Sequence, residues 1–390
     1  MKRLHAFLVG ISRFERRFEP WFRRFFNRLF RPALAALIQF LKNLGRPNRG
    51  LALAEERPIP DEEKHIQDII DTMREYMRRH YQPGEFQRAG NTKTHGIVRG
   101  EVTIKGDLPP HLGHGIFARP ETYRAWVRYS GPGPDSPRDI DDVGFVSMTI
   151  KMMGVPGPKL LDDERFTQDL LCICTPTFVT PDAQANAQLQ HALLAETGLW
   201  YFWNRRRSHI LDFWMQALWN ETQRNPLGQH YFSCVPYLLG PGQAMQYSFH
   251  PQSSVYDRIP RLPLRPPDNY LHDNMVRTLA EQDVEFDIRV QVQTDAHRMP
   301  IEDASILWPE RMSPRLSVAT LRIPRQRFDS PGQRAFAHNL SYNPWHCLPE
   351  HRPLGNQSRT RLRLYSELSR FRQQMNNTPH LEPTGDEVFD

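Results

Sequence analysis

A guanidinium one helical turn from a phenol is the pairing in this sequence with the clearest chemical consequence. Residues Ser358 to Gln373, SRTRLRLYSELSRFRQ, contain neither proline nor glycine, so a helix is expected, with Arg361, Tyr365 and Arg372 on roughly one face. A cation held beside a phenol favours the phenolate and lowers a pKa that is otherwise about 10. A phenolate is a hard oxygen ligand for ferric iron, and tyrosine is among the axial ligands of haem. Alone, an Arg-x-x-x-Tyr pair is more often an amphipathic surface feature, so its company decides.

Two segments upstream stand at fitting distances: MPIEDASILWPER, 299–311, and SYNPWHCLPEHRPLG, 341–355. Nearer the front, NTKTHGIVRGEVTIKG, 91–106, sets Thr94 and His95 just before an alternating strand, Val98 to Ile104. A second strand, AWVRYSG, 125–131, carries Arg128 and Ser130. Further strands are expected over Val146 to Met153, Gln168 to Ile173, Val284 to Gln293 and Leu316 to Ile323. The second of these lies within TQDLLCICTPTFVTPD, 167–182, with Asp169, Cys174, Thr175, Pro176 and Phe178.

Taken in order, these motifs resemble those of the catalase-like haem family over about residues 60–375. The fold class implied is α+β: a closed antiparallel β-barrel of the catalase type with surrounding helices. The cofactor implied is b-type haem with its iron. By the resemblance Tyr365 is the iron ligand, Arg361 keeps it ionised, and Arg128 and Arg372 pair with the propionates in charge-assisted, bidentate fashion. His95 takes the role of base and then acid toward a peroxide, which requires a neutral imidazole near pH 7, and Ser130 orients that ring. The Thr94-His95 pair is typical of shorter relatives of the catalases, some of which isomerise fatty-acid hydroperoxides.

One departure bears on activity. Cys174 stands where the resemblance places an asparagine that donates to the peroxide, and a thiol is a weak donor. Losing such a donor costs on the order of 10²–10³ in rate where it stabilises a transition state. The expectation is therefore a peroxidase-like oxidoreductase acting on organic or lipid hydroperoxides, with weak or no catalase activity. The alternatives are decomposition of hydrogen peroxide in the manner of a catalase, and a non-catalytic haem-binding protein.

The elements that position these residues must come from a 390-residue chain with 34 prolines, which favours short strands and ordered loops over long helices. Four cysteines, Cys172, Cys174, Cys234 and Cys347, form no zinc or disulfide pattern, and a reducing, cytoplasmic setting is the simpler reading. Cys-x-x-Cys-His is absent, which excludes haem attached through thioethers. The longest apolar run, Pro32 to Leu41, falls short of the roughly 20 residues a bilayer requires.

Charge is uneven. Residues 1–46 hold eleven Lys/Arg against Glu15 and Glu19, a net +9 that leaves −3 for the rest of a chain totalling +6. Within residues 1–45 aromatic and aliphatic side chains recur at three and four residues among arginines, which predicts an amphipathic helical arm. Such an arm suits peripheral attachment to an anionic membrane; the plain alternative is packing on its own core or on a second copy in a homo-oligomer. No nucleic-acid module accompanies the charge, so no nucleic-acid partner is expected. A helix is predicted from Asp61 to about Tyr81, and residues 187–222 read as strongly helical. The domains expected are an arm and linker, 1–58, a haem-binding domain, 59–375, and a flexible acidic tail, 376–390.

Overall fold

The computed structural model describes residues 2–204 and 207–389. Nine strands form one antiparallel sheet: β1 (Thr94–Ile104), β2 (Thr122–Ser130), β3 (Ser147–Met153), β4 (Thr167–Ile173), β5 (Tyr231–Phe232), β6 (Tyr237–Leu238), β7 (Ala244–Pro251), β8 (Val284–Val292) and β9 (Leu316–Ile323). Their order is β5-β4-β3-β2-β1-β9-β8-β7-β6, and a further pairing of β5 with β7 joins the two ends. Eight strands thereby close into a barrel, and β6 is an extra strand on β7.

Period-two alternation explains which side chains fill it. Val98, Val102, Val127 and Tyr129 on β1 and β2, with Leu170 and Cys172 on β4, belong to the large interior cluster. The intervening Ile97 and Trp126 pack on the outer side with Phe336 and Tyr342. Cross-strand partners Trp126↔Lys151 and Arg128↔Thr149, then Lys151↔Asp169, place Arg128, Lys151 and Asp169 on that same outer face.

Ten helices surround the barrel: α1 (Lys2–Arg16), α2 (Arg23–Leu29), α3 (Arg31–Leu44), α4 (Glu62–His80), α5 (Ala183–Leu194), α6 (Leu199–Phe202), α7 (Ile210–Ala217), α8 (Tyr270–Glu281), α9 (Pro331–Asn339) and α10 (Asn356–Asn376). The predicted helix from Asp61 appears as α4, but Asp61 itself has φ 56° and makes no side-chain cap. The helical run expected over 187–222 is broken into α5, α6 and α7, with a chain reversal at Thr197 and Gly198.

Both chain ends pack on the body. The arm grips its own protein through its polar face, as the plain alternative held. Arg16 Nη2 donates to Asn220 Oδ1 (2.8 Å), Arg17 Nη1 to the carbonyls of Pro263 and Leu264 (3.0 Å each), and Lys42 Nζ to Asp212 and to Ser305 (2.6 Å to each). The acidic tail, expected to be flexible, is packed as well. Glu387 accepts from Trp126 Nε1 (2.8 Å), Arg99 donates to Gly385 O (3.0 Å), and Phe389 sits against Trp126 and Phe336. Burying an aromatic residue and pairing the tail's acids with arginines outweighs the fraying its composition suggested. No described helix is long and apolar enough to cross a membrane.

Candidate active site

Helix α10 starts where Gly355 turns with φ 87°; a Cβ there would come within 2.3 Å of the Ile301 carbonyl, so glycine is required. The helix is then fixed by Arg359, whose Nε and two Nη atoms meet Glu62 (2.6 Å), Glu56 (2.6 Å) and Glu302 (2.9 Å). Two residues farther along, Arg361 lies over the Phe178 ring at 5.2 Å, and its Nη1 is buried without a hydrogen-bond partner. Burial opposes the charge of Arg361, yet the facing Tyr365, Tyr237 and Cys234 hold its pKa above the ordinary value. Tyr365 follows at one turn and is half-buried, and its hydroxyl makes no hydrogen bond among the described residues.

Across from the far end of α10, three arginines converge from separate elements. Arg128 on β2 and Arg372 on α10 are buried, and Arg88, from the loop between α4 and β1, is partly so. Arg128 Nη2 donates to Thr94 Oγ1 and Asn91 O (2.7 Å each). Arg372 donates to the carbonyls of His338 and Asn339 and to Ser341 Oγ (3.3 Å). Arg88 donates to the carbonyls of Ala337 (2.9 Å) and Leu340. No described carboxylate pairs with any of the three. Burial first, and mutual repulsion second, push Arg128 and Arg372 well below the usual arginine range, and burial takes Arg88 to about 10. Neutral carbonyls are poor compensation for three cations out of water.

His95 sits where the β1–β2 register shifts between Thr94 and Gly96, so it is the unpaired residue of a bulge. A bulge re-aims a side chain that strict alternation would send elsewhere. The space for it comes from two glycines: a Cβ on Gly96 would strike Phe328 at 2.6 Å, and one on Gly131 would strike Asp142 at 2.4 Å and approach His95 Nε2 at 3.8 Å. Both ring nitrogens of His95 and the Ser130 hydroxyl are buried without hydrogen-bond partners. Nδ1 lies 3.7 Å from Asp139 Oδ1, which is paired with Lys93 at 2.7 Å. Burial, then Lys93, Arg128 and His272, lower the His95 pKa to about 3, so the ring is neutral at physiological pH. Burial raises Asp142 to about 6.

No family model matches the chain, and no curated protein does. Solved structures do. A fungal catalase superposes with a TM-score of 0.59 at 15 % identity, over 88 % of this chain and 70 % of its own. Catalase A from Saccharomyces cerevisiae gives 0.59 at 14 %, over 89 % and 72 %, and a bacterial catalase 0.53 at 16 %, over 88 % and 70 %. The chain has the catalase fold.

On this catalase-like frame the predicted residues sort as follows. Thr94, His95 and Arg128 are brought together, with Ser130 opposite Thr94 in register. Thr94 accepts from Arg128, which makes it a holder of that arginine, and Ser130 makes no bond to the imidazole. Arg361 and Tyr365 are neighbours on α10, and Arg372 joins Arg128 at the other end. By alternation Cys174 shares the interior face with Leu170 and Cys172, and its sulfur accepts from Val146 N (3.1 Å) and Gln223 Nε2 (3.7 Å). None of its hydrogen bonds reaches His95, and burial pushes its thiol pKa up. Arg88 is the residue that sequence reasoning missed, because it lies in a loop without a motif.

The donor types suit a group that bears carboxylates and a metal: three arginines without acid partners, a phenol one turn from Arg361, and a neutral imidazole with both nitrogens unsatisfied. A second cluster, Glu164, Asp169 and His346, has the composition of a metal site, but the Lys151 ammonium already fills it, 2.5 Å from Glu164 and 2.8 Å from Asp169. His346 bridges Asp169 and Asp163 at 3.0 Å each. Burial and Lys151 press against the His346 charge, but the two aspartates outweigh them and raise its pKa to about 9. With Asn343 N donating to Asp169 (2.8 Å), this network ties the sheet to the segment that leads into α10.

Proposed function

We propose that the protein is a haem-dependent oxidoreductase that activates organic or lipid hydroperoxides. The observation that carries this is the trio Arg88, Arg128 and Arg372, cations wholly or partly out of water that lack an acid partner among the described residues and would be matched by the two propionates of a b-type haem. Tyr365 would ligate the iron, with the Arg361 guanidinium one helical turn away. Bound haem would supply the redox chemistry of the iron toward a peroxide. His95, neutral because burial holds its pKa near 3, accepts the proton of the incoming peroxide at a ring nitrogen and returns it to the departing oxygen. Ser130, with its hydroxyl unpartnered, would orient the ring once a ligand fixes the site, and Thr94 keeps Arg128 in place.

The outward apolar face of residues 2–44 favours a substrate drawn from lipid. Four free, buried cysteines suit a reducing compartment, so a cytoplasmic protein peripheral to a membrane is part of the same proposal. Decomposition of hydrogen peroxide is the second reading. It draws on the catalase fold, which the fungal and yeast catalases share with this chain.

The test is reconstitution with haem. A high-spin ferric tyrosinate spectrum is expected and should vanish in Tyr365→Phe; an unchanged spectrum in the variant rejects that ligand. His95→Ala should retain haem and lose reaction with peroxide. Consumption of a lipid hydroperoxide without oxygen evolution supports the first reading, and oxygen evolution from hydrogen peroxide the second.

A further inference from the structure

The N-terminal arm is amphipathic in an inverted sense. Its inward face is polar: Arg16 and Glu19 are buried, and Arg23 Nε meets Glu221 and Glu19 at 3.2 Å each. Its outward face is apolar along all three helices. On α1 and the turn after it, Leu4, Phe7, Leu8, Ile11, Phe14 and Phe18 face solvent at helical spacing. Phe22 just before α2, Phe25 and Leu29 on it, and Leu34, Leu37, Leu41 and Leu44 on α3 do so as well. Phe7, Phe14, Trp21 and Phe25 are 64, 66, 64 and 62 % exposed, far beyond the scattered apolar residues of an ordinary surface. Helix α7, which packs beside α3, adds an exposed Trp214.

Charge selects the occupant. Arg3, Arg13 and Arg28 are exposed and carry no ion pair among the described residues, and Glu15 is the arm's one exposed acid. A second copy meeting this face about a two-fold axis would set these cations against themselves. An anionic lipid surface meets both needs, taking aromatic side chains into the headgroup boundary and arginines onto its phosphates.

We propose that residues 2–44 form a docking face for anionic bilayers, with the apolar stripes of α1 to α3 inserted at the interface and the polar stripes holding the body. The proposal is independent of any cofactor, and so is its test. Full-length protein is sedimented with phosphatidylcholine vesicles with and without phosphatidylserine, at low and high salt. Binding is expected only with phosphatidylserine and should weaken with salt. The combined variant Phe7→Gln, Phe14→Gln, Trp21→Gln and Phe25→Gln alters solvent-facing positions, so its circular dichroism should match wild type while partitioning falls by at least about tenfold. Replacing Arg3, Arg13 and Arg28 by Gln should cost about tenfold and remove the salt dependence. Wild-type protein that stays in the supernatant at low salt, or a quadruple variant that binds like wild type, overturns the proposal. So does a dimer that the quadruple variant dissociates while neither protein binds vesicles, which would assign the face to a second copy.

Discussion

Two polar clusters are buried on the same outer face of β2 to β4, and they solve the problem of buried charge differently. Around Lys151 every charge is answered: the ammonium lies between Glu164 and Asp169, and His346 between Asp169 and Asp163. Around Arg128 nothing answers but carbonyls and hydroxyls. Tyr342 sits between the two, its ring under Lys151 at 5.5 Å and its hydroxyl unpartnered toward the arginines. A balanced cluster needs nothing further and serves to hold elements together. A cluster with a surplus of one sign is complete only with a ligand of the other sign.

The sharpest way to break this contrast is to remove one cation from each side. Lys151→Met removes the cation that Glu164 and Asp169 share and should lose about 3–5 kcal/mol in urea unfolding. Arg128→Met should change the stability of the haem-free protein far less, because no acid is stranded. The next effect concerns ligand linkage. Haem at about 100 times its Kd should stabilise the wild type by about 2.7 kcal/mol, and Arg128→Met or Arg372→Met should lose most of that gain in a thermal shift. An equal gain in the variants would remove the arginines from the site.

Two smaller effects concern protons. The folded His95 resists protonation until about pH 3, whereas the unfolded ring takes a proton below about 6.5. The unfolded chain therefore binds more protons, and stability falls as pH drops, by about 2 kcal/mol between pH 6.5 and 5; His95→Gln should flatten that limb. Asp142 has the opposite sign. Its folded carboxyl keeps a proton up to about pH 6, so stability falls as pH rises from about 4 to 6, by about 1 kcal/mol once its partial exposure is discounted. Asp142→Asn should abolish this slope in the same unfolding series.

Much of this was legible in the sequence. The strands around Val98, Val127 and Val284 announce themselves by alternation, and the helix carrying Arg361 and Tyr365 by its unbroken run of helix formers. What escaped has physical reasons. Arg88 gains meaning only when the fold brings its loop against α9 and α10. Cys174 could be matched to a motif position, but its place in the barrel interior was not legible, because motif spacing alone does not reveal which parity of β4 faces inward. The period of the arm was readable, but its direction was not, since an amphipathic helix declares two faces without saying which meets its own protein.

That direction fixes more than attachment. Because Arg16, Arg17 and Arg23 bind the segments around 141, 220 and 264, the arm is braced against the rim of the barrel next to Asp142 and His95. The molecule thus resembles a boat moored along one side rather than by a rope. It has little freedom to swing, and the rim that bears the imidazole keeps a constant heading toward whatever the arm rests on.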